Sequence, residues 1–274
     1  MIFIKKRLSI QDVGTALLWC GLYCFVWSFA QIGVMSLLGV FFTLGGAVGE
    51  GELERLLNEY IVEALIISNC VSILLFALIA KLRRRSFIDE AHFNKMPPKY
   101  ILNLIILGIS TAYSVSLILS LIPFPESWQE LLTKTNEPFN STPLATQLVA
   151  TVIMAPLLEE ILFRGLIVGT LKRCINPYVA VIIASLAFAF AHGSPFDMES
   201  GNPIGFFYSM ILGVLMGIIF VRYNSILPSL IFHMAYNLTV SIAESPSKVA
   251  VIFCVPITII EIIIITRYKR GNQQ

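Results

Sequence analysis

Long apolar runs, separated by short polar stretches, fill most of the 274-residue chain. A helix that crosses a bilayer needs roughly 20 consecutive apolar residues. Runs such as 101–102 and 104–107 are apolar on every side, which is typical of a membrane helix and unlike the alternation of a membrane β-barrel. The pattern therefore predicts an all-α membrane bundle with about eight transmembrane helices, at 13–44, 61–80, 100–122, 144–170, 177–193, 204–221, 225–242 and 249–266.

The composition supports an integral membrane protein. Hydrophobic residues make up 57% of the chain, charged residues only 13%, and the mean hydropathy is +0.81. A net charge of +2 gives no reason to expect a nucleic-acid partner, so the lipid bilayer is the expected environment. The 5 cysteines form no C-x-x-C pair, which argues against a zinc knuckle or a disulfide framework.

The placement of charge predicts the orientation of the helices. Most of the 19 lysines and arginines fall in alternate loops, which places those loops in the cytoplasm, whereas the opposite loops collect glutamates. Both termini are then cytoplasmic. No repeat or long linker divides the chain, so we expect a single membrane domain over residues 1–274.

Three apolar windows carry ionisable or polar residues at bilayer depth. A charged residue there costs about 2.5 to 3.5 kcal/mol on insertion scales, so a cluster of them indicates function. The three motifs are Glu159-Glu160-x-x-x-Arg164, Phe188-x-x-x-His192 and His233-x-x-x-Asn237.

Helical spacing gives the two glutamates different expected roles. Glu160 and Arg164 are four residues apart and can neutralise each other. Glu159 lies about 140° around the helix from Arg164 at 100° per residue and is left free. A free carboxylate with two imidazoles and an amide suits hydrolysis, in which the carboxylate activates water and the other groups stabilise an oxyanion. The set Glu159, His192 and His233 equally suits Zn²⁺, although the H-E-x-x-H signature is absent.

The order of these motifs resembles the CPBP family of intramembrane endopeptidases, also called Abi or CAAX-protease and bacteriocin-processing proteins. The resemblance covers residues 144–242 as a catalytic core. It implies that Glu159 activates water with His192, that Glu160 pairs with Arg164, and that the last motif stabilises the oxyanion through His233 and Asn237.

The resemblance also implies a membrane-associated peptide or protein substrate, either of CAAX type or connected with bacteriocin, pheromone or immunity functions. It suggests a bacterial cytoplasmic membrane as the location. It leaves the cofactor open, as Zn²⁺ or none, so the enzyme is expected to be either a metalloprotease or a glutamate-dependent protease.

Two other classes of function stay open at this stage. Buried glutamates and histidines also form proton relays, so a proton-coupled transporter is one alternative. A non-catalytic immunity or adaptor membrane protein is the other.

Two ionisable residues outside the three motifs, and the depth of the site, complete the predictions. Glu261 lies inside the last window without an evident partner, and His92 is expected to be an ordinary surface residue of a basic loop. Straight helices of 1.5 Å per residue place Glu159 and His192 at depths more than two turns apart, unless the fourth span begins outside the hydrocarbon core or is broken or tilted. The position of His233 favours a cavity in the inner half of the membrane, reached from the cytoplasm.

Overall fold

The fold is helical throughout the part of the chain that the computed structural model describes, which is residues 10–46, 49–196, 202–242 and 248–267. No strand occurs in those ranges, as the apolar pattern predicted. The first helices are α1 Ile10–Leu44, α2 Glu50–Glu59, α3 Ile61–Leu82, α4 Phe87–Glu90, α5 Ile101–Leu121 and α6 Glu126–Ser141. After residue 171 follow α10 Pro177–His192, α11 Pro203–Tyr223, α12 Ile226–Ile242 and α13 Lys248–Thr266.

Between α6 and α10 lies a run of helical segments that we call the central helix, residues 144–171. It consists of α7 Leu144–Leu148, a π-helical segment Val149–Met154, α8 Ala155–Glu159, a second π-helical segment Glu160–Val168, and α9 Gly169–Leu171. Single π turns inside α-helices often occur at functional sites. The regular helix expected at 144–170 is therefore irregular on both sides of Glu159 and Glu160.

Four helices are long and apolar enough to cross a membrane: Gln11–Leu44, Ile61–Leu82, Pro98–Leu121 and Pro203–Tyr223. Shorter apolar helices are Pro177–His192, Ile226–Ile242 and Phe253–Thr266. A helix lies at each expected window, but a count of eight spans and the orientation of the termini stay predictions. The basic segments 5–7 and 269–270, and the acidic residues of 197–199 and 244, lie outside the described residues.

Apart from the single turn of α4, two helices occupy stretches that the apolar pattern assigned to loops. They are α2 and α6, which mix charged residues with apolar ones. Neither is long and apolar enough to be a span, because a membrane helix needs roughly 20 mostly apolar residues. Amphipathic helices are stabilised by burying one apolar face. The mean hydropathy of a sequence window does not reveal such a face.

The central helix forms the core of the bundle. It packs against α1, α3, α10, α11 and α12, whereas α5 packs against α12, and α13 against α5. Every residue from Glu160 to Gly169 is buried. The site residues of the central helix are therefore shielded from lipid by neighbouring helices, as intramembrane charges require.

The connector between α3 and α5 folds back onto this core, so the prediction that His92 is a surface residue was wrong. His92 is only 8% exposed, and its ring lies against Phe220. Gly165 and Gly169 allow the approach, because a Cβ on Gly165 would lie 2.7 Å from the Ala91 oxygen and one on Gly169 2.7 Å from the His92 ring. Position in a basic loop could not reveal this docking.

Candidate active site

The first motif forms a buried ion pair. Arg164 Nη1 lies 3.0 Å from Glu160 Oε1, and the two side chains are 2% and 0% exposed. Arg164 Nη2 also donates to the carbonyl oxygen of Gly213 at 3.4 Å, and its guanidinium lies 4.6 Å from the centre of the Phe188 ring. The carboxylate, the carbonyl and the aromatic face together stabilise a cation that has no access to water.

His233 on α12 lies between the two glutamates. Its Nδ1 is 3.2 Å from Glu160 Oε1, and its Nε2 is 3.6 Å from Glu159 Oε2. A carboxylate only accepts, so Nδ1 of His233 donates its hydrogen to Glu160. In a neutral imidazole, Nε2 then has no hydrogen and directs its lone pair at Glu159. The sequence spacing predicted Arg164 as the partner of Glu160. In the structure, Glu160 Oε1 contacts both Arg164 and His233.

His192 reaches Glu159 from the other side, at the end of α10. Its Nε2 is 3.7 Å from Glu159 Oε1, and its Nδ1 lies 2.8 Å from the carbonyl oxygen of Phe188. A carbonyl only accepts, so the neutral ring carries its proton on Nδ1 and again presents a lone pair at Nε2. The Phe188 ring, 4.4 Å from the His192 ring between centroids, fixes its orientation.

The expected difference in depth between Glu159 and His192 is absent. Counted from the loop that joins the central helix to α10, Glu159 lies about 18 Å along one helix and His192 about 22 Å along the other. The central helix is about 42 Å long, more than the roughly 30 Å of hydrocarbon. A fourth span that begins outside the hydrocarbon core is consistent with these lengths, and the π-helical segments also make the central helix an interrupted one.

The charges at this site are not balanced by permanent cations. Among the described residues, the ion-pair partners of Glu159 and Glu160 are Arg164 and the two histidines. With neutral imidazoles the group therefore carries two negative charges and one positive charge. A proton or a cation between Glu159 and the two Nε2 atoms would offset this excess negative charge.

The donor set fits a metal ion chemically. One carboxylate with two imidazoles is a known ligand set of catalytic zinc, and both Nδ1 atoms have the acceptors that typically orient zinc-bound histidines. In the described part of the chain, however, no three His, Cys, Asp or Glu side chains are already arranged at metal-binding distances. The residues that would hold Zn²⁺ are Glu159, His192 and His233.

Asn237 differs in placement from the other motif residues. Its Nδ2 donates to the backbone carbonyl oxygen of Thr151 at 2.8 Å. One of the two amide hydrogens predicted to face an oxyanion is thus engaged with the central helix. The structure brings Glu159, Glu160, Arg164, His192 and His233 into direct contact and connects Asn237 to the same helix two turns before Glu159.

Sequence reasoning missed the main-chain groups that complete this site. The carbonyls of Thr151 and Gly213 carry no side-chain signal, although Pro156 just before the glutamates indicates an interrupted helix. Glu261 takes no part, because its Oε2 accepts from Asn103 Nδ2 of α5 at 2.9 Å.

Access to the site is through its histidine side. The His192 side chain is 29% exposed and that of Glu159 17% exposed, against 0% for Glu160. Glu159 and His192 thus form the more exposed edge of the cluster, whereas the ion pair beneath them is closed.

An apolar helical bundle with carboxylates and imidazoles converging inside it defines an integral membrane protein with a candidate hydrolytic centre. Comparison with known families agrees: the family model described as type II CAAX prenyl endopeptidase Rce1-like matches residues 141–239. The resemblance to the CPBP family is thereby confirmed over this stretch, which contains all three motifs, and the family is one of CAAX-type proteases. No curated protein and no solved structure matches the chain.

Proposed function

We propose that the protein is an intramembrane endopeptidase that hydrolyses a peptide bond of a membrane-associated substrate. The observation that carries the proposal is the position of Glu159, within 3.7 Å of His192 Nε2 and 3.6 Å of His233 Nε2. Beneath it the charge of Glu160 is offset by Arg164. In the described part of the chain, no lysine or arginine forms an ion pair with Glu159, which lies at the more exposed edge of the cluster.

In the proposed reaction, a water between Glu159 and His192 attacks the scissile carbonyl carbon. Glu159 accepts the proton of that water as the new C–O bond forms, which is general-base catalysis. His192 orients the water through Nε2. The same proton is then passed to the leaving amine as the C–N bond breaks, so that Glu159 returns to its starting state.

His233 is the proposed stabiliser of the oxyanion. When it carries a second proton, Nε2–H can donate to the developing negative charge while Nδ1–H remains bound to Glu160. The Glu160 and Arg164 pair supports that imidazolium and keeps the lower half of the site neutral. If Zn²⁺ is bound by Glu159, His192 and His233, it supplies Lewis-acid activation of water at the same position.

The proposed substrate is a peptide segment anchored in the membrane. A prenylated C-terminal segment fits the CAAX-type family model, and a secreted or bacteriocin-related peptide fits the other activities that the family resemblance implies. The two differ in the lipid anchor, which makes prenylation the variable to test.

The test uses purified protein in liposomes with a library of membrane-bound peptides, each offered with and without a farnesyl group. New termini are read by mass spectrometry for the wild type and for Glu159→Gln, with and without a chelator. We expect cleavage by the wild type alone. Loss of cleavage in the chelator arm, restored by Zn²⁺, would assign a metal-dependent reaction.

The alternatives give different results in the liposome preparation and in cells. A proton-coupled transporter would show uptake that follows a pH gradient and no new peptide termini. An adaptor or immunity protein would retain its cellular phenotype in Glu159→Gln. Either outcome would overturn the proposal.

A further inference from the structure

The backbone of the central helix has an incomplete hydrogen-bond ladder just before the two glutamates. The N–H of Ala155 donates to the carbonyl of Ala150, five residues back, in the π pattern. In an α-helix the same N–H would have donated to Thr151. The next residue, which would supply the π-type donor to Thr151, is Pro156, and proline has no N–H.

The carbonyl of Thr151 is therefore left without a main-chain donor by two independent features, the π turn and the proline. A backbone carbonyl without a partner is costly inside a bilayer, where water cannot replace the lost bond. Asn237 Nδ2 lies 2.8 Å from this oxygen and supplies the missing donor.

A second contact joins the same two helices one turn further along. Thr151 Oγ1 lies 3.3 Å from Ser241 Oγ, and Ser241 is four residues after Asn237. On the other side of Asn237, four residues earlier, His233 binds Glu160. One stripe of α12 thus contacts the central helix both at the interrupted ladder and at the ion pair.

We propose that Asn237 is a positioning residue: it satisfies the Thr151 carbonyl and so holds the interrupted helix in the register that presents Glu159 to the two histidines. This role replaces direct donation to the oxyanion by the amide hydrogen that Thr151 uses. Its activity readout rests on the proposed function, whereas its stability readout does not.

The first experiment measures thermal unfolding in detergent in a Glu159→Gln background, where no proteolysis is involved. Asn237→Ala is expected to lower Tm by roughly 2 to 4 °C, because the Thr151 carbonyl loses its donor. If the Asn237 amide served only to bind an oxyanion, it would have no partner in the free protein, and its removal would leave Tm unchanged. An unchanged Tm would therefore overturn the proposal.

Pro156→Ala provides the matched test of the cause. It restores an N–H at residue 156, five residues after Thr151, so Asn237→Ala should lower Tm less in the Pro156→Ala background. If Asn237→Ala folds only when combined with Pro156→Ala, the proposal is supported as well. An equal loss of Tm in both backgrounds would contradict it.

The second experiment measures cleavage by the active protein. Asn237→Ala is expected to lower kcat and to displace the pH profile of cleavage, because Glu159 moves relative to His192 and His233. Pro156→Ala should restore part of both. A lowered kcat with an unchanged pH profile and no rescue would indicate a direct oxyanion contact and overturn the positioning role. If no variant cleaves any peptide, the proposed function fails while the Tm result still decides the role of Asn237.

Discussion

Two regions of this protein bury a carboxylate beside arginine, and they differ in how completely the charge is satisfied. Glu90 in the connector receives Arg83 at 3.0 Å and Arg85 at 2.8 Å. Tyr23 lies 3.5 Å from one of its oxygens. In the candidate site, by contrast, two carboxylates share one arginine and two histidines.

This difference separates a structural cluster from a reactive one. At Glu90 each oxygen has its own arginine. At Glu159 the nearest groups are imidazole nitrogens, whose charge depends on a mobile proton. Burial of a carboxylate is therefore a poor guide to function in this fold, and the identity of its partners is the better one.

The largest expected effect tests the reactive half of the comparison. Glu159→Gln should lower the rate of peptide cleavage by about 10²- to 10⁴-fold, the usual contribution of a general base. Tm in detergent should stay the same or rise, because the substitution removes a charge that no permanent cation pairs with. Parallel rate and thermal unfolding measurements check both statements.

Glu90→Gln is the matched control for that experiment. It removes the same charge from the cluster of Glu90, Arg83 and Arg85, which we call the saturated cluster because each Glu90 oxygen has its own arginine. Its cleavage rate should remain at the wild-type level. If Glu159→Gln lost as much Tm as Glu90→Gln, the two clusters would not differ in the way described.

The next effect concerns the ion pair beneath the site. Glu160→Gln leaves the Arg164 guanidinium buried without its counter-charge, a change that typically costs about 3 to 5 kcal/mol. The double variant Glu160→Gln with Arg164→Met removes both charges and should be more stable than Glu160→Gln alone. Thermal unfolding of the two proteins gives the comparison, and a double variant that is less stable would contradict a mainly electrostatic role for the pair.

The sequence predicted the parts of the site that depend on spacing and missed those that depend on main-chain register. Four-residue spacing placed Glu160 beside Arg164, and three motifs on apolar segments predicted a common site. Pro156 indicates an interruption, but side-chain spacing does not reveal the π turn at Val149–Met154, which is defined by the pairing of main-chain groups. The burial of His92 was missed because it follows from contacts between residues distant along the chain.

Within the saturated cluster, Glu90→Gln should reduce the free energy of unfolding by about 1 to 3 kcal/mol, because hydrogen bonds to a charged acceptor are lost. The exposed Arg85 contributes less than Arg83, since its side chain is 48% exposed against 20%. Arg83→Gln should therefore lower Tm more than Arg85→Gln. The reverse order would show that Glu90 depends on the exposed arginine.

A smaller, pH-dependent effect is expected where the connector meets the central helix. Burial, together with the nearby positive charges of Lys172 and Arg173, lowers the pKa of His92 from 6.5 to about 4, against a smaller opposing effect of Asp89. Between pH 6.5 and 4, therefore, this histidine is protonated in the unfolded chain but stays neutral in the folded protein. The free energy of unfolding thus falls as the pH decreases from 6.5 towards 4. His92→Asn, which tolerates the positive φ of 57° at this position, should flatten this part of the Tm profile. An unchanged slope would assign the pH dependence to other groups.

The smallest effect is expected at Glu261, which has an amide as its hydrogen-bond partner instead of an arginine. Asn103 Nδ2 donates to Glu261 Oε2 at 2.9 Å across α5 and α13. A glutamine carbonyl accepts the same bond, so Glu261→Gln should leave Tm nearly unchanged, whereas Glu261→Ala should lose about 0.6 kcal/mol, the average for such bonds in a membrane. A large loss of stability or of cleavage in Glu261→Gln would mean that the negative charge itself is needed, and Glu261 would then belong with the reactive region.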